Sequence, residues 1–244
     1  MNRLCIITAL LAGAFPVHAA DLAPSEVMRR IPSIPESVEA RDCAAAQSLL
    51  AGVEQQAMAD MMRVQRMSMT GGSGGAINGR QGNVIEKLVA PENSACDANV
   101  FMDHDGQDIA GEFQRDLSAI RKQTREKIEK ECPVIGAGDY RAEPCVRPIL
   151  DYGKRREGAA LVAYITRANR ALTEERDAYA ACAARHEQLT EEAYAADLPP
   201  QYTGLALGNK VKSWQSLALL VNRYQRLCGA AAEASAELAN PDRW

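Results

Sequence analysis

Residues 161–196 read LVAYITRANRALTEERDAYAACAARHEQLTEEAYAA, and the spacing within them decides the fold. Leu161, Ile165, Ala168, Leu172, Glu175, Tyr179, Cys182, His186, Leu189, Ala193 and Ala196 follow one another in alternating steps of four and three. Such a run lays one narrow seam along a helix, at the period with which helices pack in coiled-coil fashion. Only Glu175 and His186 interrupt it with polar side chains. The seam predicts a long helix from near Pro148 to just before Pro199-Pro200, where paired prolines stop it.

Similar stripes flank it. A last helix, about Leu207–Leu238, carries Val211, Trp214, Leu217, Val221, Tyr224, Cys228 and Ala231, and Asn240-Pro241 ends it. Asp108–Glu131 places Ile109, Phe113, Leu117, Ile120, Thr124 and Ile128 on one face and charges of both signs on the other, as a solvated helix does. Nearer the start, Ser33-Ile34-Pro35-Glu36 has capping-box spacing and predicts a helix from about Ile34 to Met69. Its seams would be Cys43, Leu50, Ala57 and Val64, with Ala46, Val53 and Met67 beside them. A glycine-rich loop at 70–83 follows, then a short helix over Asn83–Val89 before Pro91.

Aromatic residues make up only 5% of the chain, and few runs alternate with period two. The fold class is therefore all-α: an antiparallel helical bundle with long coiled-coil-like helices, stapled by disulfides. We expect an extended, proline-bearing lead-in over 20–35, a single bundle domain over 36–240, and a disulfide-closed loop at 132–145.

Residues 1–19 have the pattern of a secretory signal peptide: Arg3, an apolar run from Leu4 to Phe15, and Val17 and Ala19 before the expected cut. That run is shorter than the about 20 residues that span a bilayer. No later stretch is apolar enough for a transmembrane segment, so the expected location is the periplasm, or full secretion. Cleavage removes one of the 28 basic side chains, Arg3, and none of the 32 acids, taking the net charge from −4 to about −5. Such a balance argues against a nucleic-acid partner. Cleavage also removes Cys5 and leaves Cys43, Cys96, Cys132, Cys145, Cys182 and Cys228, an even set suited to an oxidising compartment. No CxxC or zinc spacing is present. The pairings expected are Cys132–Cys145, Cys182–Cys228 and Cys43–Cys96.

Few residues suggest chemistry. Met58, Met61, Met62, Met67 and Met69 are five of the eight methionines. Thioethers bind Cu(I) and Ag(I), and His104 beside Met102 would add donors if the glycine loop folded back. Methionine also fills cores and adaptable binding surfaces, and Met67 fits the seam. DHDGQDIAGE (103–112) resembles a calcium loop, but Phe101 stands where the first ligand belongs, so Asp105 or Asp108 is read as a helix cap. Gly71-Gly72-Ser73-Gly74-Gly75 matches G-x-S-x-G without the strand that a nucleophile elbow needs. His186 on the seam is a pH-sensitive core candidate if buried.

These features predict a non-enzymatic exported protein that binds another envelope or periplasmic protein, as an assembly factor, a secretion-system accessory subunit or an inhibitor-type module. The alternative is a periplasmic copper or silver carrier. Oligomeric state is not encoded in any pattern found.

Overall fold

The structure is a computed structural model that describes residues 23–69, 76–94, 108–133 and 143–240. The expected signal peptide with its cleavage site, Ser73, Cys96, Met102, His104 and the calcium-like stretch before Asp108 lie outside these residues. The elements in chain order are α1 (Pro24–Arg29), α2 (Ala40–Cys43), a 3-10 turn (Ala44–Leu49), α3 (Val53–Met69), α4 (Gly79–Val89), α5 (Pro91–Ser94), α6 (Ile109–Glu131), α7 (Val146–Ala195) and α8 (Pro200–Ala239). No strand occurs among the described residues.

The frame is the α7–α8 hairpin. α7 has 50 residues and α8 has 40, about 75 Å and 60 Å at the α-helical rise. Their antiparallel register is fixed by polar contacts: Glu175 with Arg223 at 2.8 Å, His186 with Ser213 at 2.9 Å, and the Thr190 hydroxyl donating to the Ala206 carbonyl at 3.2 Å. The Tyr164 hydroxyl donates to the Leu227 carbonyl at 2.7 Å. All the apolar seam residues of the quoted stretch are buried except Cys182, which is half-buried. Glu175 is tolerated on the seam because Arg223 meets it there.

The turn between these helices is a Schellman cap. Asp197 takes a left-handed φ of 48°, its amide reaches the Tyr194 carbonyl, and the Leu198 amide reaches the Ala193 carbonyl. Aspartate is among the few non-glycine residues that enter this region readily. Pro199 and Pro200 follow, and Pro200 occupies the first turn of α8, where its missing N–H is harmless. The last helix thus starts seven residues earlier than the expected Leu207.

α6 lies against the first half of α7, antiparallel to it. Its six predicted apolar-face residues are all buried, and the Asp108 carboxylate caps it by accepting from the Gly111 amide at 2.9 Å. Phe113 stacks on Tyr164 with ring centroids 4.2 Å apart. Thr124 crosses Gly153, and Ile128, Cys132, Val146, Ile149 and Leu150 form a separate apolar cluster closed by the Cys132–Cys145 disulfide.

The N-terminal third departs most from expectation. The lead-in is not simply extended: Pro24–Arg29 is helical, and Val27, Met28, Ile31, Ile34 and Val38 are all buried in the main core. Glu187 of α7 caps α1 by accepting from the Ser25 amide at 2.9 Å and the Ser25 hydroxyl at 2.8 Å. Asn169 clamps the Ile34 backbone at both its N–H (2.7 Å) and its C=O (2.9 Å). Pro35 also holds Ile34 in extended backbone, so no helix begins at Ser33-Ile34. The capping box forms instead between Glu39 and Asp42. The expected Ile34–Met69 helix is broken into α2, the 3-10 turn and α3, with Gly52 at the last break. α4 starts at Gly79, inside the predicted 70–83 loop, because Asn78 and Gln81 form a reciprocal capping box.

Two of the expected pairings are corrected. Cys43 bonds Cys228, with a Cα–Cα distance of 5.4 Å, rather than Cys96. Cys182 does not bond Cys228. The hairpin register brings Cys182 opposite Leu217, about 16 Å along the helix from Cys228, beyond the reach of a disulfide. Cys182 is nevertheless disulfide-bonded, and its partner lies outside the described residues.

Candidate functional site

α3 runs antiparallel along the first half of α8. Its inner face carries Val53, Ala57, Asp60, Val64 and Met67, spaced by four and three, which is the register that buries a helix on one neighbour. Asp60 is fully buried there. Its carboxylate accepts from the Trp214 indole at 3.3 Å and the Gln56 amide at 3.4 Å, and it lies 3.5 Å from the Lys210 ammonium and 3.6 Å from Arg63. A polar group buried in an apolar contact needs such partners. Asp60 was not singled out in the sequence, although its place between Ala57 and Val64 on the seam was the available signal.

The outer face is different. Met58, Met61, Met62 and Met69 are 56%, 50%, 48% and 75% exposed. Packing, the commonest use of methionine, therefore accounts for Met67 but not for these four. Met67 is half-buried: a Cβ added at Gly204 of α8 would sit 3.5 Å from its Cβ. Beside it, an open cavity of about 230 Å³ is lined by Met67, Tyr194, Asp197, Leu198, Pro200 and Thr203. The site thus combines an apolar strip on a helix with a concavity at the hairpin turn, one carboxylate and one phenol at its rim.

Elsewhere, polar side chains serve the fold. His186 is buried, and its Nδ1 meets the Ser213 hydroxyl at 2.9 Å between α7 and α8. Glu157 is fully buried where α6, α7 and the end of α8 meet. Arg121 of α6 lies 3.5 Å from Glu157 and 2.5 Å from Glu237 of α8. Burial pushes the Glu157 carboxyl above its ordinary range, assisted by the charge of Glu237 and opposed by Arg121. Burial likewise raises the phenols of Tyr164 and Tyr224. At the surface, Lys87 of α4 bonds Glu192 at 2.8 Å and lowers its pKa.

The structure thus gathers four of the five clustered methionines on one open face, with the fifth at the edge of the cavity. Among the described residues, no three His, Cys, Asp or Glu side chains gather as a metal-holding group, and no helix is long and apolar enough to cross a membrane. Compared with protein-family models, curated proteins and solved structures, the chain matches none.

Proposed function

We propose that the protein is an exported, non-enzymatic helical bundle of the cell envelope that binds another envelope protein through the outer face of α3 and the neighbouring cavity. One observation carries the reading: four large flexible apolar side chains stand about half exposed or more along a single helix whose other face packs on α8. Exposed apolar side chains grouped on one charged helix surface suit an interaction site, and methionine suits an adaptable one. The signal-peptide pattern and the disulfides support an oxidising compartment. Assembly factor, secretion-system accessory subunit and inhibitor-type module are the roles that fit such a surface.

The test is photocrosslinking in the intact envelope from residues placed at Met61 and Met69, with Val162 on α7 as an exposed apolar reference. A discrete product from α3 that is absent from position 162, and that a purified pair reproduces, would support the reading. Equal labelling from all three positions would remove it.

A further inference from the structure

Three of the exposed methionines are close enough to act together. Met58, Met61 and Met62 stand at i, i+3 and i+4, so Met58 lies between the other two around the helix. Side chains so spaced have Cβ atoms about 5–6 Å apart. Methionine has an unbranched stem with three rotatable bonds, which lets neighbouring sulfurs turn toward one point. Soft thioether donors select Cu(I) and related ions over hard cations.

Among the described residues, no free cysteine competes with these sulfurs. Cys43, Cys132, Cys145, Cys182 and Cys228 are all disulfide-bonded and offer no thiolate. The local charge is balanced: Glu54 lies one turn before Met58, Arg66 one turn past Met62, and Arg63 leans back to the buried Asp60 at 3.6 Å. A neutral thioether carries no proton to lose, so binding would not weaken under mildly acidic conditions as it does for histidine or cysteine ligands.

We propose that Met58, Met61 and Met62 form a surface site for one soft monovalent cation, Cu(I) or Ag(I). This goes beyond the protein-binding reading and does not depend on it. Leucine at the three positions removes the sulfurs but keeps the face apolar, so loss of metal and loss of partner are separable.

The test uses the mature, oxidised protein. Cu(I) is titrated anaerobically in competition with a chromophoric chelator, and Ag(I) is titrated with the methionine methyl groups followed by NMR. The expected result is one equivalent of either ion, with the Met58, Met61 and Met62 methyl signals moving together while that of the buried Met28 stays still. Each single Met→Leu change should weaken binding about tenfold or more. The triple variant should abolish binding, and Met69→Leu should leave it unchanged. Thermal unfolding of each variant checks that the fold is retained. No uptake by the parent protein would overturn the site, and so would uptake that the triple leucine variant keeps.

Discussion

Along the half of the α7–α8 hairpin nearer its turn, from about Asn169 and Cys228 onward, the N-terminal segment, α3 and α4 all pack on the two long helices. At the opposite end, the cluster of Ile128, Cys132, Val146, Ile149 and Leu150 draws on α6 and α7 alone. Each end buries one carboxylate completely, Asp60 in the first and Glu157 near the second. Asp60 has four donor groups within 3.6 Å from α3 and α8. Glu157 faces Arg121, whose charge is shared with Glu237. A buried charge ringed by donors ties two helices together. One that shares its counter-ion is held by burial at the expense of its ionisation.

The two staples sharpen the contrast. Cys43–Cys228 joins residues 185 apart in sequence, while Cys132–Cys145 joins residues 13 apart. Loop entropy scales with the logarithm of that separation. Replacing Cys43 and Cys228 with serine should therefore lower stability by about 5 kcal/mol, and replacing Cys132 and Cys145 by about 3 kcal/mol. Urea unfolding of the two double variants measures both. If the short loop proves the costlier, the far end is not the weaker part of the molecule.

Asp60→Ala comes next, at about 3–5 kcal/mol, because it leaves the Lys210 ammonium and the Trp214 N–H facing an apolar contact. The urea midpoint of this variant should fall without a change of slope. A loss below about 1 kcal/mol would mean that Lys210, which is 21% exposed, escapes to water and that the Asp60 cluster ties nothing.

The helices of the far end and of the hairpin were legible because their seams are long. All six apolar-face positions from Ile109 to Ile128 are buried as spaced, and so is every apolar seam residue from Leu161 to Ala196 except Cys182. The N-terminal segment was not legible. Its conformation comes from Asn169 and Glu187, whose partners Ile34 and Ser25 are 135 and 162 residues distant. Nothing local to IPSIPES announces those contacts. The local pairing Cys132–Cys145 was legible, whereas Cys182–Cys228 failed for a related reason: it depends on hairpin register, and register turned on α8 starting at Pro200. For the candidate site, the cluster of methionines was legible, but its exposure was not. Spacing tells which residues share a face, and only the tertiary packing shows that no described helix covers the outer face of α3.

Two helical glycines carry the comparison further. Replacing glycine with alanine inside a helix gains about 1 kcal/mol when space allows. At the turn end, a Cβ at Gly204 would lie 3.5 Å from the Met67 Cβ, an ordinary contact. At Gly153 it would fall 2.7 Å from Thr124 Oγ1 and 2.9 Å from Cγ2. Thr124 cannot readily turn aside, since its hydroxyl donates to the Ile120 carbonyl at 2.8 Å and its β-branched side chain is stiff. Gly204→Ala should thus be neutral or slightly stabilising, whereas Gly153→Ala should cost about 1–2 kcal/mol. Adding Thr124→Ala should restore much of that loss, and thermal melts of the single and double variants would show it. Independent, additive effects would mean that α6 and α7 do not touch at this crossing.

The smallest effect expected is that of Glu157→Gln, and its diagnostic is pH rather than magnitude. The carboxyl of Glu157 titrates above its ordinary value of 4.5 in the folded chain, because burial and Glu237 together outweigh Arg121. The folded state therefore holds this proton more tightly than the unfolded chain does. Below about pH 4.5 both states are protonated and the full benefit is present; as pH rises through the folded pKa, ionisation in the buried site erodes it. Glutamine mimics the protonated form and cannot ionise. The stability of the parent relative to Glu157→Gln should consequently fall as pH rises, in paired urea titrations from pH 4 to pH 8. A parent that instead gains on Glu157→Gln with rising pH would show that Arg121 dominates at this site, and the two buried carboxylates would then work in the same way.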